Sequence, residues 1–303
     1  MKVFLDRPPR SGPWGGGNRF SSALCERLQK ENIEVVFDLQ DDIDLIFCMD
    51  PRRGPSGLWY QDYLNYKSVN QTPILQRVGD VGTHGKPDLT ELVKQTTKYS
   101  DFIVFPSEWA KNHIHYEKEN FAIVPNRSDV IFKKNRKSDY AISGKPSIVT
   151  HHWSTNPMKG FETYAFLDEN MGDLFSFTYI GRLPEGFKFK NSVHIPAMSK
   201  EELSEELPRH DIYFTSSKLE AGANHVLEGM LSGLPVVYTS EGGSIPEYCD
   251  GFGIEFERKE ESITSILKLI DNYQEHAKSV SCYDDSIEKS VEEYMKAIWK
   301  LLK

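Results

Sequence analysis

An α/β fold of two doubly wound parallel-sheet domains is what this sequence predicts, and three observations carry the prediction. Short apolar runs rich in β-branched and aromatic residues alternate with longer segments of helical period, the pattern of parallel strands joined by crossover helices. The series runs once, breaks after Pro125 in a basic, polar stretch without periodicity, and then starts again. At 303 residues the chain has a length at which two cores commonly form.

In order, the first series places strands at 2–5, 33–37, 45–49, 74–78, 102–105 and 121–124. Runs such as LIFCM and FIVF are apolar throughout, as strands covered on both faces are. Helical segments sit between most of them. The stretch 126–145 reads as a basic interdomain connection that ends a first domain of residues 1–145. Strands recur at 148–151, 175–181, 193–196, 212–215 and 236–238, with helices near 159–170, 199–206 and 224–233, which makes 146–283 a second domain. Two helical patterns, SITSILKLIDNYQEHAK and SIEKSVEEYMKAIWKLLK, close the chain. There is no internal repeat and no low-complexity tract.

Composition narrows the function classes. Asp and Glu number 45 against 36 Lys and Arg, a net charge of −9, which disfavours a generic nucleic-acid binder. The charge is uneven: up to Lys145 there are 21 basic and 19 acidic residues, and beyond it 15 and 26. Cys25, Cys48, Cys249 and Cys282 lie far apart, without metal-ligand spacing or a disulfide framework, so reduced, cytoplasmic surroundings are expected. The opening MKVFLDRPPR has an apolar run too short for a secretory segment, and no stretch approaches the ~18 apolar residues of a spanning helix.

Ligands of open parallel sheets bind at the carboxyl ends of the strands. The most informative such place is IYFTSSKLEAGANHVLEGMLSGLPVVYTSEGGSIPEY, from Ile212 to Tyr248. Glu220 falls in a loop, Glu228 follows eight residues on in a helix, and Gly222 permits a tight turn between them. The helix start at Ala223, Asn224 and His225 offers unpaired N–H groups and a positive dipole end, a ready anion site. Two carboxylates beside an anion site suit a ligand that carries both phosphates and hydroxyls, as a sugar nucleotide does.

This E-x7-E spacing, followed by GLPVV and GGSIPE, resembles the retaining family 4 glycosyltransferases of the GT-B fold. PSEWAK, IVPNRSDVIF, MKGFETY and TYIGRLP fall in the order of that family, so the resemblance covers nearly the whole chain, and SGPWGGGNRF fits its glycine-rich loop after the first strand. The resemblance implies two facing domains with a cleft between them and a C-terminal helix, 284–303, that crosses back onto the first. It implies metal-independent transfer of a sugar from a nucleoside diphosphate sugar, of UDP or GDP type, to a hydroxyl of an acceptor such as a glycan or lipid-linked glycan, with retention and without a cofactor. Glu228 would bind the donor ribose, and Glu220 the sugar beside the reacting carbon. Lys159 would neutralise the leaving diphosphate: at an effective dielectric of about 20, a cation ~4 Å from an anion gains about 4 kcal/mol before desolvation. Relatives carry an Arg shortly before this Lys, where this chain has Trp153, Ser154 and Thr155; Arg182, after the next strand, is the candidate substitute.

The remaining candidates have plainer rivals. Gly16 and Gly17, like Gly242 and Gly243, would let backbone approach the donor, or would simply make tight turns. Asn18, Arg77, Asp80 and His84 are the acceptor-side candidates, against a reading as solvated loops. Asp42-Ile-Asp44 precedes a strand and reads as a turn, and His151, His152, His113 and His115 lack ligand spacing, so no metal is expected. Lys133, Lys134, Arg136 and Lys137 read as solvation of a hinge or as a strip that guides a phosphorylated acceptor. Alternative functions on the same architecture are transfer to hydroxylated bases in DNA, nucleotide-sugar epimerisation, and nucleotide-sugar binding without turnover.

Overall fold

The computed structural model describes residues 1–10 and 16–302. The chain divides into two compact units, Met1–Asn126 together with the helix from Ile287, and Arg127–Ser286. Of the glycine-rich loop, residues 11–15 lie outside the described residues.

The first unit holds β1 (Lys2–Leu5), α1 (Gly16–Lys30), β2 (Glu34–Val36), β3 (Leu45–Cys48), α2 (Tyr60–Asn70), β4 (Ile74–Arg77), α3 (Pro87–Thr96), β5 (Phe102–Phe105), α4 (Glu108–His113) and β6 (Phe121–Ile123). Its six strands are all parallel, in the order β2-β1-β3-β4-β5-β6. The strands β1, β3, β4 and β5 are buried almost throughout because helices cover both faces. One face packs Phe20, Leu24 and Leu28 of α1, spaced four apart as one helical stripe, against Leu5 and Phe47. The other packs Phe4 and Ile46 against Tyr60 and Tyr63 of α2.

The second unit holds α5 (Ile131–Lys134), β7 (Ser147–His152), α6 (Phe161–Asn170), β8 (Ser176–Gly181), β9 (Val193–Ile195), α7 (Lys200–Glu206), β10 (Ile212–Thr215), α8 (Asn224–Leu231), β11 (Val236–Thr239), α9 (Ser244–Cys249), β12 (Gly253–Phe256), α10 (Ser262–Asp271) and α11 (Tyr273–Ser281). Its strands are also all parallel, in the order β12-β11-β10-β7-β8-β9. Strand order therefore reverses between β7 and β10, and loops that leave neighbouring strands there run to opposite faces and open a crevice. The last helix, α12 (Ile287–Leu301), returns to the first unit. Tyr294 packs 4.5 Å from the Phe20 ring, Arg27 pairs with Glu292 at 2.6 Å, and the Ser290 hydroxyl donates to the Pro125 carbonyl at 2.8 Å.

Three departures from the sequence reading have local causes. From Arg127 onward, the stretch read as a connection is counted with the second unit. Phe132 is fully buried there, Lys133 pairs with Asp284 and Lys137 with Asp211, and Arg136 donates to the carbonyls of Leu231, Ser281 and Tyr283. The strand β12 is not among the strands expected from the sequence. Gly253 is required there, since a Cβ would meet the Val236 carbonyl oxygen at 1.8 Å. The first C-terminal pattern is two helices, α10 and α11, broken at Asn272.

Candidate functional site

The crevice of the second unit is built by the chain after β7 and after β10. Beyond His152 the chain reaches a single 3-10 turn, Pro157–Lys159, started by the Asn156 side chain, which accepts from the Met158 N–H at 2.9 Å. The next residue must turn left-handed: Gly160 has φ 86°, and a Cβ on it would meet the Ser216 carbonyl oxygen at 2.3 Å. Backbone from the two loops is tied again where the Lys218 N–H donates to the Met158 carbonyl at 2.8 Å. Lys159 is thereby presented to Glu220, and the two side chains form an ion pair. Gly160→Ala is expected to destabilise the protein by about 3 kcal/mol through strain and overpacking at this crossing. Urea denaturation measures it, and an unchanged midpoint contradicts the account.

Glu220 is held from several sides. The Ser217 hydroxyl donates to Oε1 at 2.5 Å, the Glu220 N–H donates to the Gly242 carbonyl at 3.2 Å, and the Glu220 carbonyl accepts from the Ser244 N–H at 2.8 Å. Gly243, at φ 72°, has no room for a Cβ because the Glu220 carbonyl oxygen would lie 2.4 Å away. The GG loop thus has a steric reason for glycine within the protein itself. Gly222 precedes the start of α8, where the Ala223 N–H donates to the Ser244 hydroxyl at 3.1 Å before Asn224 opens the helix.

Glu228 is only 5% exposed, yet its carboxylate is not stranded. His151 Nε2 lies 2.7 Å from Oε2, and His151 Nδ1 lies 3.0 Å from the Tyr213 hydroxyl. Tyr213 accepts from the His151 backbone N–H at 3.3 Å and donates to Nδ1, which leaves the Nε2–H to donate to Glu228. His225 lies one turn before Glu228 in α8, with Nε2 2.9 Å from the Thr215 hydroxyl and its ring centroid 4.8 Å from that of His152. Burial drives its pKa down to about 3, so this imidazole stays uncharged at neutral pH.

The sequence reading placed Glu220, Lys159 and Glu228 at one crevice but had no role for His151, Tyr213, Ser217 or Ser244. Arg182 is not brought to Lys159 or Glu220 by any direct contact among the described residues. Its guanidinium stacks over the Trp153 ring at 4.1 Å, on the rim where β7 and β8 end, and Trp153 is 54% exposed. No group of His, Cys, Asp and Glu arranged to hold a metal is found among the described residues. No helix among them is long and apolar enough to cross a membrane.

The first unit carries the other candidates. Gly16 and Gly17 open α1, and a Cβ on Gly17 would meet nothing within 4 Å. Asn18 clamps Arg10, accepting from its N–H at 2.7 Å and donating to its carbonyl at 2.9 Å. Asp80 accepts from the Gly82 N–H and pairs with Lys86, and His84 lies half-buried in the same loop. Arg77 is the last residue of β4 and is buried. Strand order in this sheet reverses between β1 and β3, and there Asp6, missed from the sequence, accepts from the Met49 N–H at 2.7 Å. Burial pushes its pKa up to about 7, against the lowering pull of Arg7.

No family model and no curated protein matches the chain. Solved structures do. HepE from Anabaena, in complex with UDP and glucose, superposes with a TM-score of 0.69 at 12% identity over 98% of this chain and 99% of that one. Sucrose-phosphate synthase from Thermosynechococcus elongatus gives 0.71 at 11% identity over 99% of each. WaaG, a glycosyltransferase involved in lipopolysaccharide biosynthesis, gives 0.63 at 15% identity over 98% of this chain and 99% of that one. The two six-stranded parallel sheets of this chain, with their surrounding helices, are therefore the GT-B fold that those structures share.

Proposed function

We propose that the protein is a glycosyltransferase that moves a sugar from a nucleoside diphosphate sugar to an acceptor hydroxyl, with retention and without a metal. The observation that carries this reading is the pairing at the reversal of the second sheet: Lys159 on Glu220, and Glu228 held by His151, on either side of the start of α8. A donor diphosphate would lie at that helix start and take Lys159 as its counter-ion. Glu228 would accept from the ribose hydroxyls, and Glu220 would accept from sugar hydroxyls next to the anomeric carbon. The reaction breaks the bond from the anomeric carbon to the diphosphate oxygen and forms one to the acceptor oxygen on the same face. The acceptor proton passes to the departing phosphate oxygen, so the protein supplies orientation and charge stabilisation in place of a general base. UDP is the first donor to try, because HepE was solved with UDP and with UDP-glucose.

Calorimetric titration with UDP, GDP, ADP and their glucose conjugates, in chelator, tests the reading. One diphosphate is expected to bind in the micromolar range with no change on chelation, and the anomeric proton of the product should keep the donor's coupling in NMR. Absence of binding by every diphosphate, or binding that needs a divalent cation, overturns it.

A further inference from the structure

Arg77 is 7% exposed, and among the described residues no carboxylate lies within ion-pairing distance of it. Half-buried cations of the chain do have such a partner: Arg127 faces Asp285, Lys137 faces Asp211 and Lys159 faces Glu220. Arg136 has three backbone carbonyls instead. Arg77 has one weak neutral acceptor, Asn126 Oδ1 at 3.3 Å from Nη2, and the face of the Phe20 ring 5.2 Å from Cζ. A guanidinium presents five N–H donors in a plane, and burial of that charge is costly unless an anion answers it.

The surroundings are shaped around this guanidinium. It stands at the carboxyl end of β4, in the middle of the first sheet, where ligands of such sheets bind. Two residues on, a Cβ built on Gly79 would lie 2.1 Å from Nη1, so any larger residue there would expel the guanidinium from its position. Gly79 has no positive φ to explain it. The nearest acid in sequence, Asp80, is turned to Lys86 and to the Gly82 N–H and does not neutralise Arg77. The Phe20 ring that lies against the guanidinium is itself packed on Tyr294 of α12, which limits the side-chain freedom left to be lost when an oxyanion meets the fork.

We propose that Arg77 is the recognition point for an oxyanion, a phosphate or a carboxylate, carried by the acceptor. The naming of the acceptor rests on the transferase reading; the oxyanion site itself rests on the first unit alone. Such a site selects acidic acceptors, for instance a sugar phosphate or a uronic acid, over their neutral counterparts.

The test uses full-length protein saturated with UDP, so that the donor pocket is occupied, titrated with inorganic phosphate by calorimetry. Wild type is expected to bind in the millimolar range, R77M to bind at least tenfold more weakly, and R77K to fall between. Unliganded R77M is expected to melt at or above the wild-type temperature, because a buried charge without a counter-ion has been removed. Phosphate binding that survives R77M, or that is lost in K159M instead, overturns the proposal, as does a fall of several degrees in the R77M melting temperature with phosphate affinity unchanged. The source of the oxyanion is read by comparing UDP-glucuronate with UDP-glucose: an affinity ratio that stays constant between wild type and R77M supports the acceptor, and a ratio that shifts assigns the anion to the donor sugar and overturns the acceptor claim. If no nucleoside diphosphate binds, the same titration without UDP still decides for or against the oxyanion site, while the transferase reading fails.

Discussion

Glu228→Ala is expected to weaken UDP binding about a hundredfold while leaving the fold intact. A carboxylate that accepts from two ribose hydroxyls contributes roughly 1.5–3 kcal/mol per charge-assisted bond when its partner is otherwise dry, and about 2.7 kcal/mol is a hundredfold in affinity. The preorganisation of this carboxylate is visible in the chain Tyr213 to His151 to Glu228, with links of 3.0 and 2.7 Å, all from elements of the second sheet and α8. His151→Phe keeps the ring volume and removes the donor, so Glu228 loses its anchor, and about a tenfold weakening is expected. His151→Gln, whose amide can still donate, should recover part of it. A 2′,3′-dideoxy analogue of UDP separates this account from a general loss of structure, since it has no ribose hydroxyls for Glu228 to hold. Its affinity should be nearly the same in wild type and in all three variants. If it falls in parallel with UDP, the Glu228 carboxylate is not the ribose contact.

The alternation of apolar runs with helical segments showed the strands of the first sheet and all but β12 of the second, because parallel strands covered on both faces are written as short continuous apolar words. Strand order was another matter. Nothing local in Ser147–His152 states that β7 lies between β8 and β10, and yet that adjacency makes the crevice. For the same reason Glu220 and Glu228 could be singled out by their spacing and the helix between them, whereas His151, 77 residues from Glu228, read only as half of a histidine pair. The signal that would have found it is positional, a polar residue at the carboxyl end of a buried strand. Arg77 shares that signature at the end of ILQR and was picked up, although its lack of an acid partner belongs to packing and not to sequence. Trp153 was noted only as the absence of an arginine, and the structure shows it stacked under Arg182. The polar stretch from Arg127 misled because charge on a linker and charge matched to carbonyls and carboxylates of a domain have the same composition.

Lys159→Met is expected to lower kcat by two to three orders of magnitude with a smaller change in KM, and Glu220 decides why. In the structure the two side chains neutralise each other, and the pair is largely withdrawn from solvent. A bound diphosphate must therefore compete with Glu220 for the ammonium group, so ground-state binding gains less from Lys159 than a solvated lysine would offer. As the bond to the anomeric carbon breaks, negative charge accumulates on the phosphate oxygen. There a cation ~4 Å away at an effective dielectric of about 20 is worth about 4 kcal/mol, felt mainly in the transition state. The same competition gives Glu220→Gln an effect of opposite sign on binding. Lys159 is released from its partner, UDP should bind about threefold to tenfold more tightly, and the melting temperature should rise with UDP more steeply than in wild type. Turnover should nevertheless fall, because an amide holds the sugar hydroxyls less strongly than a carboxylate does and no longer faces the positive charge that develops at the anomeric carbon. Tighter UDP binding with slower transfer is a combination that simple damage to the pocket does not produce. Weaker UDP binding in Glu220→Gln would mean that the ion pair shapes the diphosphate site and does not compete with it, and the electrostatic argument for Lys159 would then have to be abandoned.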